Sequence, residues 1–185
     1  HYNLGTLCLK RFQPAPALDH FEAAVRLEPD YANAHNSRGV ALAELGATAR
    51  AAEAFRKASE LAPSFVEPLF NLHGQLVDLG DIDGAIACMR QAVDIDPARA
   101  DCRYFLGMLY QYKGDEEAGA RILQALRDEG QAEAEIDSWQ YLQSLAPVMP
   151  AMTGSSRRTF ERAIAQAPRS GLVLEFGVYH GKSIR

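Results

Sequence analysis

The repeating character of this chain is plainest in residues 32–65, ANAHNSRGVALAELGATARAAEAFRKASELAPSF. Small and apolar side chains recur there at intervals of three, four and seven residues, the spacing of one face of an α-helix. Gly46 follows the first periodic stretch and Pro63 follows the second. A glycine can adopt the positive φ that ends a helix, and a proline cannot continue one. The stretch therefore predicts a helix, a tight turn, a second helix and a proline stop.

The same pattern returns every 34 residues on both sides of this stretch. The columns that keep this step are Pro29, Pro63 and Pro97; Leu27, Leu61 and Ile95; Ala24, Ala58 and Ala92; Phe21, Phe55 and Met89; Ala17, Ala51 and Ala85; Gly5, Gly39, His73 and Gly107; and Gly46, Gly80 and Gly114. So many columns in one register indicate an internal structural repeat. Small residues in these columns would let two antiparallel helices approach each other closely.

Applied along the chain, the repeat predicts an all-α fold of helix pairs. The expected helices run near 1–11, 16–28, 32–45, 48–61, 66–79, 82–95, 100–113 and 116–128. A ninth, near 132–145, carries Ile136, Trp139, Leu142 and Leu145 on one stripe. Because a stack of helix pairs leaves its last apolar face open, this ninth helix is interpreted as a cap with Trp139 in the core.

The repeat resembles the tetratricopeptide repeat. The positions characteristic of that family are filled in the second unit by Gly39, Gly46, Ala51, Phe55, Ala58 and Pro63. The third unit departs once, with His73 in a glycine position, and the fourth departs after Gly114, with Gly119, Leu126 and Gln131 in the places of Ala, Ala and Pro. The resemblance implies a right-handed α-solenoid over 1–145, with units 1–31, 32–65, 66–99 and 100–133 and the capping helix at 132–145.

Composition and charge narrow the range of functions. The formal net charge is −5, so the chain lacks the basic surplus of a nucleic-acid-binding protein. Hydrophobic residues make up 48% of the sequence. No apolar run approaches the length of a membrane span. Three cysteines without Cys-x-x-Cys spacing argue against disulfides and against a metal site, and favour a reducing, cytoplasmic setting. Because the chain does not begin with Met, we expect a piece of a longer protein.

In the family that the repeat resembles, the first helices of the units line a concave groove for a peptide or protein partner. Transferred position by position, the predicted groove residues are Tyr2, Asn3, Asn36, Phe70, Asn71, Tyr104, Met108 and Tyr112. Some family members hold a terminal carboxylate with a clamp of Lys, Arg and Asn. Here only Asn36 and Asn71 suit such a clamp, so aromatic anchors and backbone contacts are expected to dominate binding. Packing between repeats is the alternative role for the aromatic residues.

His73 stands out as a histidine in the column of small residues. No second metal-ligating side chain lies at a clear ligand spacing from it. A core or rim position is therefore expected for His73, with Gly74 taking over the close contact between the helices.

The character of the sequence changes after residue 145. Residues 146–154 are interpreted as a linker, and the apolar run 172–176 predicts a buried parallel strand. Residues 173–183, VLEFGVYHGKS, resemble the first motif of class I methyltransferases that use S-adenosylmethionine. The resemblance implies that Glu175, Gly177, Gly181 and Ser183 bind this cofactor in the full-length parent, at the first strand of a truncated Rossmann-like α/β domain over 155–185.

Two other phosphate-binding motifs fit the same segment less well. Gly181, Lys182 and Ser183 could end a P-loop, but Phe176 stands where that loop requires glycine. Residues 168–171, PRSG, are similar to the phosphosulfate loop of sulfotransferases, but there the strand precedes the loop and here it follows. The sequence thus predicts an interaction scaffold attached to a methyltransferase, with a purely non-enzymatic adaptor as the alternative. With one motif present, the 185-residue chain itself is expected to be inactive.

Overall fold

The computed structural model describes residues 1–133, 135–137 and 140, and all regular structure in this part of the chain is α-helical. Eight helices follow one another as α1 (Tyr2–Lys10), α2 (Pro14–Leu27), α3 (Ala32–Glu44), α4 (Thr48–Leu61), α5 (Val66–Leu79), α6 (Ile82–Ile95), α7 (Ala100–Lys113) and α8 (Glu116–Asp128). Each helix packs on the next, so four helix pairs stack into a solenoid. The first eight expected helices are confirmed to within two residues at each end.

Glycine and proline end the helices where the sequence predicts it. Gly80 and Gly114 cap α5 and α7 with φ of 82° and 93°, and Gly46 follows α3 with φ of 76°. The second helices end two residues before their prolines. The fourth unit has no such proline, and Gly130 ends α8 instead with φ of 67°, while the Gln131 amide donates to the Leu126 carbonyl at 2.8 Å.

Two helix starts are fixed by carboxylates. Asp81 accepts from the Gly84 amide at 2.9 Å, and Asp115 accepts from the Ala118 amide at 3.1 Å. An aspartate at this position accepts a hydrogen bond from an amide that has no partner within the helix. Its negative charge is also attracted to the positive end of the helix dipole. α2 instead begins at Pro14, two residues earlier than expected, because proline fits the first turn of a helix.

In each of the first two units the two helices meet at a glycine. A Cβ added to Gly39 would lie 2.5–2.9 Å from the ring of Phe55, and Gly5 stands in the same relation to Phe21. In the third unit His73 replaces the glycine, and the narrower Met89 replaces the phenylalanine. The expectation that Gly74 takes over this contact is wrong: a Cβ there would meet no atom within 4 Å, because Gly74 faces away from α6.

The fourth unit departs from the repeat because its helices approach more closely. A Cβ on Gly119 would lie 2.6 Å from the Gly107 carbonyl oxygen and 2.4 Å from Cγ of Gln111. Alanine, the residue that the repeat has in this column, cannot occupy such a position without moving backbone. The substitution of glycine for alanine therefore accompanies a backbone contact between α7 and α8.

Buried clusters of apolar side chains hold the stacked units together. The largest joins α3, α4, α5, α6 and α7 and is built largely from alanines and leucines, with Phe55 and Met89 as its bulky members. A second cluster at the end of the array contains Tyr104, Leu123, Leu126 and Ile136. The described residues of the expected capping helix, 133, 135–137 and 140, are helical, and Ile136 covers α8. Trp139, Leu142 and Leu145 lie outside the described residues, as does the strand expected at 172–176.

Glycine substitutions on α3 and α5 test this packing. We expect Gly39→Ala to lower the free energy of unfolding by about 1–3 kcal/mol, because the added methyl group collides with a ring that has no room to move. Gly74→Ala is the matched control in an open part of a helix, where alanine should raise stability by about 0.5–1 kcal/mol. Urea denaturation of both variants measures the difference. Equal effects at the two sites would contradict the packing at Gly39.

Candidate partner-binding groove

The first helices of the units, α1, α3, α5 and α7, form the inner surface of the stack. α3 contacts both α1 and α5, and the rings of Phe70 on α5 and Phe105 on α7 lie 5.5 Å apart. Side chains of these four alternate helices therefore lie side by side on one surface. We call this surface the groove.

At its amino-terminal end the groove carries an aromatic contact. Tyr2 lies half-buried with its ring 5.0 Å from Tyr31 and 5.9 Å from Phe21, so it packs against α2 and the residue that precedes α3. Asn3, beside it, is exposed to solvent. Of these two predicted groove residues, Asn3 exposes its polar side chain to solvent, and Tyr2 exposes only part of its ring.

An amide pair crosses the middle of the groove. Nδ2 of Asn71 donates to Oδ1 of Asn36 at 3.0 Å, which joins α5 to α3. Each amide retains donor and acceptor capacity beyond this bond, because an asparagine offers two donors and two acceptor lone pairs. The pair can therefore bond to the backbone of an extended partner while holding its own geometry.

An aromatic patch, made of Phe70, His73 and Phe105, lies next to the amide pair. The His73 ring is 5.1 Å from Phe70 and 4.8 Å from Phe105, so the three rings contact one another. Phe70 and Phe105 are half-buried and His73 is buried. The patch thus presents two partly exposed phenyl rings over a buried imidazole.

Arg99 closes one side of the aromatic patch. Its guanidinium lies 5.4 Å from the centre of the Phe70 ring and bonds to Glu67 at 3.0 Å and to Asp101 at 3.0 and 3.2 Å. A guanidinium over a ring face is an attractive cation–π geometry. The two carboxylates neutralise and hold this cation, so Arg99 serves mainly to fix Phe70 and to join α5 to α7.

Burial changes the acid–base behaviour of His73. Removal from water lowers its pKa to about 4. The hydrogen bond to the Phe70 carbonyl and the charge of Asp101 raise the pKa, but their effect is smaller. The imidazole is therefore neutral at physiological pH, and Nδ1–H donates to that carbonyl. His73 occupies the core position expected of it.

Comparison with known families agrees with this architecture. Residues 2–64 and 76–140 match two family models, both described as tetratricopeptide repeat. These residues belong to the tetratricopeptide-repeat family. No curated protein matches the chain significantly.

Several solved structures share the tetratricopeptide fold of this chain. A structure of MamA superposes with a TM-score of 0.68 at 19% identity, covering 72% of this chain and 78% of that one. A MamA RS-1 ArsTM double mutant gives 0.63 at 28% identity, covering 68% and 71%. The first tetratricopeptide domain of Spaghetti (RPAP3), solved with the HSP90 peptide SRMEEVD, gives 0.59 at 16% identity, covering 61% and 90%.

The remaining predicted groove residues of the tetratricopeptide array divide into two kinds. Tyr104 is buried with 8% of its surface exposed, packs against Leu123 and Ile136, and donates its hydroxyl to the Glu135 carbonyl at 3.0 Å. Met108 is half-buried against the same cluster, whereas Tyr112 is exposed. Tyr104 and Met108 thus hold the end of the array together.

Sequence reasoning missed Arg99 because it looked only at positions along the first helices. Arg99 lies before α7, in the loop after Pro97, and reaches the groove from there. The sequence did contain a signal for Arg99. Glu67 and Asp101 are 34 residues apart and so occupy the same column of the repeat, and the basic Arg99 lies between them in the chain.

The described part of the chain also contains carboxylates, histidines and cysteines outside the groove. No three His, Cys, Asp or Glu side chains among these residues are grouped to hold a metal ion. Burial raises the pKa of the Cys88 thiol to about 11 and that of Cys102 to about 12, which suppresses their reactivity at neutral pH. No helix here combines the length and apolar character needed to cross a bilayer. The predicted cofactor residues Glu175, Gly177, Gly181 and Ser183 lie outside the described residues.

The lowered pKa of His73 predicts a pH dependence of stability. At pH values between the folded pKa of about 4 and the ordinary pKa of 6.5, His73 is protonated in the unfolded chain and neutral in the folded chain. The free energy of unfolding should therefore fall as the pH drops through this window, by roughly 3 kcal/mol for this group.

His73→Leu removes this titration and should flatten the dependence of the unfolding free energy on pH between 6.5 and 4. Denaturation at a series of pH values measures it. Part of the slope should persist in the variant, because burial also lowers the pKa of His35. An unchanged slope would contradict the buried neutral imidazole.

Proposed function

We propose that this chain is an interaction scaffold whose groove binds an extended peptide or a segment of a partner protein. The observation that carries the proposal is the juxtaposition of the aromatic patch with the Asn36–Asn71 pair. Half-buried rings provide apolar anchoring, and neighbouring amides provide bonds for a backbone, which are the two requirements of peptide recognition. The tetratricopeptide fold and its peptide-bound structural neighbour support the same function.

The charge distribution favours anchoring by apolar side chains over ionic capture. Arg99 is held by Glu67 and Asp101, so it has little capacity to bind a partner carboxylate. Among the described residues, no lysine or arginine bonds to Asn36 or Asn71, as the cations of a carboxylate clamp would lie beside them. We infer a partner segment with one or more large apolar residues.

Replacing Phe70 tests the apolar anchor. Peptides selected by binding to the whole chain from a displayed random library serve as probes. Phe70→Ala should weaken their binding by about 1–2 kcal/mol, or roughly 5–30-fold, because the aromatic patch loses an exposed ring. Leu27→Ala, at an exposed position on α2, is the matched control and should leave the affinity unchanged. Isothermal titration gives the affinities, and circular dichroism checks the fold.

The same peptides should bind with little dependence on salt, because screening acts mainly on exposed charge pairs. A collapse of affinity between low and moderate salt would contradict apolar anchoring, as would wild-type affinity in Phe70→Ala.

The peptide SRMEEVD, which RPAP3 binds, gives a sharper comparison. Its two glutamates and its terminal carboxylate require cations that the groove of this chain does not present around Asn36 and Asn71. We expect it to bind at least about tenfold more weakly than the selected peptides, on the scale of one lost charge-assisted bond. Equal or tighter binding, measured by fluorescence anisotropy, would mean that the groove acts as a carboxylate clamp.

We further propose that the parent protein carries a class I methyltransferase domain that begins near residue 155, and that the array recruits a partner for it. The motif Glu175, Gly177, Gly181 and Ser183 supports this proposal. Glycines after a strand let a backbone approach S-adenosylmethionine, and the acid suits the cationic end of that cofactor. A cytoplasmic location is proposed with it, since three free thiols suit a reducing compartment. A pure adaptor without enzymatic activity is the alternative.

Cofactor binding distinguishes these alternatives. The 185-residue chain should bind S-adenosylmethionine negligibly, because residues 172–176 have no second parallel strand within this sequence to pair with. A version extended through the parent's following residues should bind it. Gly177→Val or Gly181→Val should abolish that binding and leave the repeats folded. Calorimetry decides: tight binding by the short chain, or none by the extended one, would contradict the methyltransferase proposal.

A further inference from the structure

The outer face of α1 carries apolar side chains that no described residue covers. Leu4 is 51% exposed and Leu7 is 44% exposed, three residues apart on one stripe of the helix. Burial of a large apolar side chain is favourable, so leaving two such side chains half exposed on one stripe is costly. The same positions in the later units show which kind of helix packs against this stripe.

The equivalent residues of the later units are buried, except for Arg38 of the second unit, which is half-buried. In the column of Leu4, Leu72 and Leu106 are 3% and 7% exposed. In the column of Leu7, Ala41, Gln75 and Leu109 are 0%, 9% and 7% exposed. In every later unit the first helix packs against the second helix of the preceding unit: α3 against α2, α5 against α4 and α7 against α6. The stripe on α1 is thus the same interface without its partner helix.

We propose that Leu4 and Leu7 form a docking surface for the second helix of a further tetratricopeptide unit, stacked ahead of α1 in the manner of α4 on α5. The continuity of this surface with three interfaces inside the chain carries the assignment. The occupant is a helix with small residues facing α1, because α4 meets α5 with alanines such as Ala52 and Ala58.

A second copy of the chain is a poorer occupant. Head-to-tail stacking would require α8 of one copy to cover α1 of another. The apolar side chains Leu123 and Leu126 of α8 are already buried under the segment that carries Ile136. The face of α8 that could stack on α1 is therefore occupied within the chain.

The test supplies the missing helix from the protein itself. Residues 46–68, which contain α4 and the start of α5, are joined ahead of His1, so that His1 takes the place of Leu69 and the register of the repeat is kept. The added helix should raise the Tm of the full chain by roughly 5 °C or more, because it buries two leucines. It should also slow hydrogen exchange of the α1 amides.

Matched variants make the result specific. In the extended protein, Leu4→Lys with Leu7→Lys should abolish the rise in Tm, whereas Leu27→Lys, at another exposed leucine, should preserve it. No rise in Tm, or a rise that survives the lysine pair, would overturn the proposal.

Sedimentation of the unextended chain tests the competing occupant. We expect a monomer across the concentration range. A dimer that dissociates on Leu4→Lys with Leu7→Lys would assign the surface to a second copy and overturn the proposal.

Discussion

The structure depends on one steric constraint, the close approach of the two helices in each unit. Gly39 meets the Phe55 ring with no room for a methyl group, and Gly5 meets Phe21 in the same way. Because the ring lies directly on the neighbouring backbone, the distance and rotation between the paired helices are determined at this contact. The third and fourth units solve the same problem differently, with Met89 near His73 and with Gly119 against Gly107.

This constraint is what makes a groove possible. When each pair has nearly the same internal geometry, successive first helices lie side by side and present the same positions on one surface. Asn36 and Asn71, which are 35 residues apart in the chain, can then share a hydrogen bond. Phe70 and Phe105 contact each other for the same reason. Ordered stacking thus turns a local sequence pattern into a continuous binding surface.

The two ends of the array differ in how their apolar faces are treated. At the carboxyl-terminal end, Ile136 and Tyr104 close the core over α8, and the Tyr104 hydroxyl is bonded to backbone. At the amino-terminal end, the stripe of α1 carries leucines that face solvent. A solenoid is stabilised by contacts between neighbouring repeats, so its end surfaces have the capacity to take further units.

The sequence by itself determined the fold of the described residues. The 34-residue period, the glycines at turns and the prolines after second helices depend on local backbone preferences, which act in the same way in every repeat. Helix bounds followed from these alone. The motif at 173–183 is equally visible in the sequence, and its role stays a prediction.

Only the tertiary structure decided which groove residues are available to a partner. Phe70 and Tyr104 are 34 residues apart and occupy the same column of the repeat, yet Tyr104 is buried under the end of the array and Phe70 lies in the aromatic patch. Arg99 reaches that patch from a loop, and Gly74 faces open space where a contact was expected. Such outcomes depend on how neighbouring units pack and on which side chains they bring, and periodicity within one repeat carries no information about either.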